Sequence, residues 1–418
     1  MATATTAPAH HPIAVVGAGL GGLVAARVLQ VHGIEAAVYE RDASPAARPQ
    51  GGMLDIHEES GQAALRAAGL LEEFRAIIHS GGEEFRVLDP DGTVRFKDAE
   101  EAGRPEVDRN DLRRVLLDSL PEGTVRWGAK VTGARPLGDG RHEVTLADGT
   151  VFTTDLLIGA DGAWSRIRPL LSPAVPAYAG VSFVETDLYE AAVGHPATAE
   201  LLGGGMTFAL ADGKGFLTHL ETDGSIHAYV AFQAPEDWLS GLDFTRPESV
   251  KEALLAHFEG WDDRLRALIA DADDAPTPRP IHTLPVGHRW AHTPGVTLLG
   301  DAAHLMSPFA GEGANAALQD GAELATALAA NPDSFDTGLL AYEKALFPRA
   351  EHTAAQSAQG LDLLFGPDAT ENLVAMMSGQ GDRPGTAAAA APVTCDATRP
   401  ADTPAASTPP ARRPAGSR

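Results

Sequence analysis

The chain contains a single cysteine, Cys395, among 418 residues. A disulfide framework, a cysteine-based zinc site and a dithiol redox pair are therefore excluded. Positive charge is also scarce: 32 Lys and Arg stand against 57 Asp and Glu, a net of −25. So acidic a surface repels phosphate backbones and anionic lipid, and neither nucleic acid nor a membrane is an expected partner. No run of the sequence approaches the roughly 20 apolar residues of a membrane-spanning helix. Residues 1–12 are small and polar and lack the apolar stretch of a signal peptide, which points to a soluble, cytoplasmic protein. No G-x-S-x-G hydrolase elbow occurs, and the histidines are not read as a metal site.

What is present suits a folded chain. Hydrophobic residues at 44% and charged residues at 21% rule out wholesale disorder, and the length suits roughly two to three domains. Ile13–Val16, a helix over Leu20–Val31 and a second apolar run over Ile34–Tyr39 spell strand, helix, strand. Helical spacing recurs over 61–78 and 111–120. Asp148-Gly149 makes a hairpin turn between short β-branched runs, and 156–159 reads as a buried strand. From 176 to about 280 the pattern favours strands at 181–188, 206–210, 216–219 and 226–232, followed by a helix over 249–269. This stretch reads as an inserted antiparallel sheet. A buried strand returns at 296–299, then helices over 315–330 and 337–365, the last containing Pro348. From Gly379 the chain holds seven prolines and eleven alanines in forty residues, a composition that reads as a disordered tail.

The segment Gly17-Ala18-Gly19-Leu20-Gly21-Gly22 fits G-x-G-x-x-G between a strand and a helix. The first glycine permits the tight turn, the second lets backbone approach a pyrophosphate, and the third lets helix pack on strand. The helix start then offers unpaired N–H groups and partial positive charge to phosphate. Glu40 closes the second strand, where a carboxylate can accept from ribose hydroxyls. The turn alone does not separate NAD from FAD, since both carry an ADP half.

Two further strand-to-loop segments follow. Leu157-Ile158-Gly159-Ala160-Asp161-Gly162 runs on to Arg168, and Leu298-Leu299-Gly300-Asp301-Ala302-Ala303-His304 precedes Pro308 and Gly311-Glu312-Gly313-Ala314-Asn315. With the glycine turn, these resemble the three signatures of the group A flavoprotein aromatic hydroxylases, in that family's order and spaced by about 140 residues. The resemblance covers about Pro12 to Gly366. It implies an α/β fold: a Rossmann-like FAD-binding domain over 11–75, 104–175 and 285–335, and an inserted antiparallel-sheet substrate domain over 76–103 and 176–284. A long C-terminal bridging helix over 336–378 precedes the tail at 379–418. It also implies FAD contacts from Gly17, Ala18, Gly19, Gly22, Glu40, Arg41, Asp161, Asp301, Pro308, Gly311, Gly313, Ala314 and Asn315. Asp301 would reach the ribityl hydroxyls, and the helix near Gly313 would aim its positive end at the pyrimidine edge of the flavin. Asp161 is read as partly structural. His304 is read as supporting the loop rather than as a general base.

A closer resemblance is to the tetracycline-inactivating monooxygenases. It rests on Gly51-Gly52-Met53-Leu54-Asp55-Ile56-His57, Ser60-Gly61-Gln62, Asp108-Arg109-Asn110-Asp111-Leu112-Arg113, Pro235-Glu236-Asp237-Trp238 and the run 300–311. It implies that Asp55 and Arg109 contact FAD and that Arg48 lies where a nicotinamide cofactor docks. On the substrate side, His227 falls where those enzymes have a substrate-contacting His, and Glu185 falls where they have a Gln. Where they have an Arg, this chain offers Gly205 and Met206. The lost charged hydrogen bond is worth roughly 1.5–3 kcal/mol, so the match does not extend to the whole drug-contacting set.

No second glycine-rich motif is present, so a permanent nicotinamide domain is not expected. The resemblance implies transient docking of NAD(P)H, reduction of FAD, addition of O2 at flavin carbon 4a, and oxygen transfer to a phenolic or enolic small molecule. No side chain need act as nucleophile. The other readings are a flavin-holding, non-redox cyclase or antibiotic-binding module, and a flavin halogenase or reductase. The halogenase W-x-W-x-x-P pattern is missing. A monomer is expected, acting in antibiotic resistance or biosynthesis.

Overall fold

The computed structural model describes residues 8–47, 52–79, 84–98 and 105–378. Arg48, Cys395 and the 379–418 segment, for which a disordered tail is expected, lie outside the described residues.

The first sheet is built on apolar runs buried on both faces. Strand Ala9–Val16 lies between Ala37–Tyr39 and Val151–Gly159, parallel to both, and Val151–Gly159 also pairs in parallel with Val296–Leu298. Ile13, Ala14, Val15, Leu156, Leu157 and Ile158 are fully buried, as expected where helices cover both faces of a parallel sheet. Strand Val125–Arg126 extends one edge. Beyond the Asp148-Gly149 turn, Arg141–Leu146 and Val131–Gly138 extend the other in antiparallel fashion. Helices Leu20–Val31 and Gly313–Ala329 pack against each other through glycines. A Cβ at Gly21 would lie 2.6 Å from the Ala317 oxygen, and one at Gly321 would collide with the Gly21 oxygen.

The second sheet has seven strands. Thr277–Thr283, Ala177–Leu188, Ile226–Gln233, Lys214–Leu220 and Met206–Ala211 run antiparallel in that spatial order. Phe85–Leu88 then joins Met206–Ala211 in parallel, and Val94–Asp98 closes the edge. One face packs Ala228, Val230, Phe232 and Phe216 against Leu254, Phe258, Leu265 and Leu268 of two helices. The other face sets Phe183, Leu217 and Ala231 against Leu364, Phe365 and Leu373 near the C-terminal end. A two-stranded ribbon of Met53–Asp55 and Glu106–Asp108 completes the strands.

Several expected helices are broken, each for a local reason. The 61–78 stretch becomes a π turn at Glu58–Gln62 and two short helices, Ala63–Ala67 and Leu71–Arg75. Between them Gly69 takes a left-handed φ of 68°, which ends the first helix. The 249–269 stretch divides into Pro247–His257 and Asp263–Ala270 at Gly260, with Asp262 capping the second helix by accepting from the Arg264 N–H at 2.8 Å. Helices Ala191–Gly194 and Pro196–Leu202 interrupt the stretch expected to be strands. Helix Phe335–Phe365 contains Pro348 and is followed by a separate helix, Ala369–Met377.

Candidate active site

Three neighbouring parallel strands end at one level, with Val16 opposite Gly159 and Gly159 opposite Leu298. Each carboxyl end leads into one signature turn, so Gly17, Asp161 and Asp301 share one rim, where open α/β sheets bind ligands. The glycines divide into two kinds. Gly17 has φ 108°, and a Cβ there would collide with the Ala160 carbonyl; one on Gly22 would collide with the Gly17 oxygen. A Cβ on Gly19 or Gly313 would meet no atom within 4 Å. Gly17 and Gly22 are therefore required by the protein itself. Gly19 and Gly313 leave open two helix starts whose first-turn N–H groups have no intrahelical partner. This cradle fits a dinucleotide pyrophosphate at one helix and an anionic ring edge at the other.

Glu40 holds backbone on both sides of the turn. Its Oε2 accepts the Ala18 N–H at 2.7 Å and its Oε1 the Asp42 N–H at 3.0 Å, so it also fixes the glycine turn. Neighbouring Arg41 is mostly exposed, with Nε 3.9 Å from Asp42. Arg113, which sequence reasoning left without a role, is buried and donates to the Ala18 oxygen at 3.1 Å and the Pro45 oxygen at 3.0 Å. Arg168 does the same at the second turn, donating to Ala302 and Ala174 carbonyls and so tying the Asp161 loop to the Asp301 loop.

Asp161 spends its carboxylate on its own turn, accepting the Arg166 N–H at 2.6 Å, and burial pushes its pKa up. Asp301 opens the short turn Asp301–His304. Solvent reaches its surface, and protein atoms stand close around its carboxylate. Burial raises its pKa, opposed by the positive charges of His304, Arg109 and Arg168. Beneath it, fully buried Asp320 accepts the Gly300 N–H at 2.9 Å, His304 Nε2 at 2.6 Å and Arg349 Nη2 at 2.7 Å. His304 thus supports the loop, as expected.

Asn315 fastens two segments together. Its side chain is fully buried and faces protein: Oδ1 accepts the His57 N–H at 3.0 Å, and Nδ2 donates to the Asp55 oxygen at 2.9 Å. Only its backbone remains for a ligand, because the amide fastens the 55–57 segment to the helix start. Pro308 and Gly311 shape the turn before that helix, and Ala314 lies in its first turn.

At the same junction His57 bridges two carboxylates, with Nε2 2.8 Å from Asp55 Oδ2 and Nδ1 3.2 Å from Glu312 Oε1. Burial alone would depress its pKa, but the two carboxylates outweigh it and raise it from 6.5 to about 9. A raised folded-state pKa stabilises the fold fully below the unfolded value and is lost as pH rises through the folded one. At about 1.4 kcal/mol per unit, this contribution is on the order of 3 kcal/mol. Urea unfolding of the ligand-free protein should therefore lose stability between about pH 6.5 and 9, and His57→Gln should flatten that slope. Equal slopes for the two proteins would disprove the assignment.

The second sheet presents a polar row. His227 Nδ1 lies 2.7 Å from Asp187 Oδ1, its cross-strand partner, and His219 pairs with it from the third strand. Burial lowers the His227 pKa, but Asp187, Glu185 and Glu221 raise it more. His219 faces Glu106 at 3.2 Å. In the adjoining row Glu185 opposes Tyr229, which meets the His227 ring edge-on at 4.7 Å. Burial, then Glu185 and Glu221, push the Tyr229 hydroxyl up to about 12.

Glu185 is bound to Arg279 Nε at 2.8 Å. A guanidinium is thus present on this wall, supplied by a neighbouring strand rather than by the Gly205–Met206 segment. Tyr229 escaped the sequence reading, although its place two residues from His227 puts it on the same strand face. Arg109 joins the halves: its N–H donates to the Gly52 oxygen at 3.3 Å, and its charge acts on both Asp301 and Tyr229. Phe183 and Phe309, 5.7 Å apart, add an aromatic floor.

A parallel sheet with three converging turns, beside a second sheet that carries a polar and aromatic row, defines a dinucleotide-dependent oxidoreductase. Residues 10–357 match the FAD binding domain family; the chain belongs to that family and is an FAD-dependent monooxygenase of the group A type. It is 30% identical to monooxygenase asqM of Emericella nidulans over 438 residues, covering 88% of this chain and 98% of that one. It is 31% identical to an FAD-dependent urate hydroxylase of Mycolicibacterium vanbaalenii over 374 residues, 85% and 89% of the two chains. HpxO of Klebsiella pneumoniae, solved with FAD and uric acid, matches with a TM-score of 0.73 at 25% identity, over 87% and 92% of the chains. Tetracycline destructase Tet(55) matches with a TM-score of 0.71 at 20% identity, over 90% and 96%, which shows a shared fold. Among the described residues no helix is long and apolar enough to cross a membrane.

Proposed function

We propose that the protein uses NAD(P)H and O2 to hydroxylate an electron-rich phenolic or enolic small molecule of polyketide or tetracycline-like type. The Gly17–Gly22 turn, Glu40, Arg109, Asp301 and the first turn of Gly313–Ala329 would hold FAD. When bound, the flavin supplies an electrophilic oxygen derived from O2. The chain's own residues position and activate the substrate. Asp187 takes His227 Nδ1 and so fixes Nε2 as the nitrogen that a substrate hydroxyl meets. Drawing that proton away enriches the ring or enol carbon in electrons. Tyr229 adds a hydroxyl beside it, Arg279 and Glu185 form a charged edge, and Phe183 with Phe309 excludes water.

The observation that supports this reading is the Asp187–His227 pair on a sheet face joined to Asp301 through Arg109. Arg48, placed by resemblance at the nicotinamide, is retained as part of the proposal. The experiment is NADPH and NADH oxidation with O2 uptake, measured across a panel of phenols and enols with mass detection of product. One compound should raise consumption and gain one oxygen atom. His227→Gln should then lower kcat/KM roughly hundredfold with FAD binding unchanged. Bound FAD with no compound oxygenated would instead favour the non-redox reading.

A further inference from the structure

Asp55 is an expected FAD contact, but its joint pairing with His57 and Glu312 has no role assigned above, and the geometry of that cluster fixes its charge. His57 is 5% exposed, and each ring nitrogen faces a carboxylate oxygen, at 2.8 and 3.2 Å. A neutral imidazole has one N–H and one lone pair, so it would turn that lone pair against one of the two anions. The ring can donate to both carboxylates only when it is doubly protonated. The rest of the cluster holds the ring in place: Asn315 Oδ1 accepts the His57 N–H, and the Gln62 N–H donates to the His57 oxygen. Among the described residues, the charged groups acting on His57 are Asp55 and Glu312.

The position matters as much as the charge. Glu312 is the residue immediately before helix Gly313–Ala329, whose open first turn is the anion-attracting end assigned above to the flavin ring. Its carboxylate places a negative charge on that positive end, and His57 offsets it. Asp55 and Glu312 are about one-third exposed, so both carboxylates border the cleft rather than the core.

We infer that His57, bridging Asp55 and Glu312, is a resident cation of the flavin site and tunes how tightly the reduced, anionic form of FAD is held relative to the oxidised form. The inference rests on the functional reading above. Reduced flavin carries negative charge at its pyrimidine edge, so a nearby cation favours it and a nearby carboxylate opposes it. Within the three-residue cluster, His57 makes the net charge −1 instead of −2.

The test is the reduction potential of bound FAD, read anaerobically against a redox dye, in the wild type, His57→Gln, Glu312→Gln and the double variant. His57→Gln should move the potential to more negative values, with reduced FAD losing about tenfold in affinity relative to oxidised FAD. Glu312→Gln should move it the opposite way, and the double variant should return towards wild type. Glu312→Gln is nearly isosteric, so its sign decides even if His57→Gln folds poorly. Unchanged potentials, or shifts of the same sign in both single variants, would overturn the inference. A second readout needs no cofactor: ring nitrogen NMR of the ligand-free protein should show His57 doubly protonated at neutral pH, and a neutral ring would overturn the inference. Failure of the wild type to bind FAD would instead count against the functional reading.

Discussion

Asp320→Ala should lower the thermal midpoint by on the order of 10 °C, corresponding to roughly 3–5 kcal/mol for breaking a buried charged network. Asp320 is fully buried and accepts three hydrogen bonds, from the Gly300 N–H, His304 and Arg349. His304 and Asp320 face each other in a low-dielectric space, so removal of the acid leaves buried His304 Nε2 without its partner, while Arg349 keeps Glu323. The Gly300 N–H loses its acceptor as well, and the Asp301 loop loses its anchor. Thermal unfolding followed by circular dichroism, with and without added FAD, measures both effects. A loss below about 1 kcal/mol would show that the network is not what holds this loop.

Gly17→Ala and Gly19→Ala should separate structure from ligand contact. Alanine at position 17 meets both a φ of 108° and a collision with the Ala160 carbonyl. It should destabilise the apoprotein by several kcal/mol, roughly the sum of backbone strain and overpacking, and yield a colourless product. Gly19 has φ −76° and open space where a Cβ would sit. Alanine there should leave the unfolding midpoint nearly unchanged, yet weaken FAD binding by on the order of a hundredfold, since the new methyl occupies the pyrophosphate approach. Fluorescence titration with FAD and urea unfolding of both variants give the comparison. Normal FAD affinity in Gly19→Ala would move the phosphate site elsewhere.

The legible part of the fold was the part with two buried faces. Ile13–Val16 and Leu156–Ile158 are continuous apolar runs, and Val296–Leu298 is equally buried with one threonine bonded to Glu343; each announces the turn after it. The ribbon of Met53–Asp55 and Glu106–Asp108 gave no such pattern. Three-residue strands are fixed by a partner far along the chain, which periodicity cannot report. Helix spacing over 61–78 and 249–269 was real, but single left-handed glycines at 69 and 260 cut it.

The same divide holds at the site. Motif residues that shape backbone, such as Gly17 and Glu40, could be read from spacing. Arg113 and Arg168 could not, because their partners are carbonyls in other loops, although Arg168 stood within the quoted second signature. Asp320 did leave a trace: an acid on the apolar face of a helix between Leu318 and Ala322 needs buried partners. The resemblance places Asn315 at the ligand; its side chain points into the protein, which leaves its backbone for that contact.

The chain leaves the first sheet after Val151–Gly159 and returns to it at Val296–Leu298, and those two strands lie side by side. Almost the whole second sheet is spelled out between departure and return. That wiring makes the excursion a replaceable cassette. On the function proposed above, substitutions along Ala177–Leu188, Ile226–Gln233 and Thr277–Thr283 should retune which molecule is oxidised without moving the rim where the three turns meet. A directed library confined to those strands should diversify products while every member stays yellow.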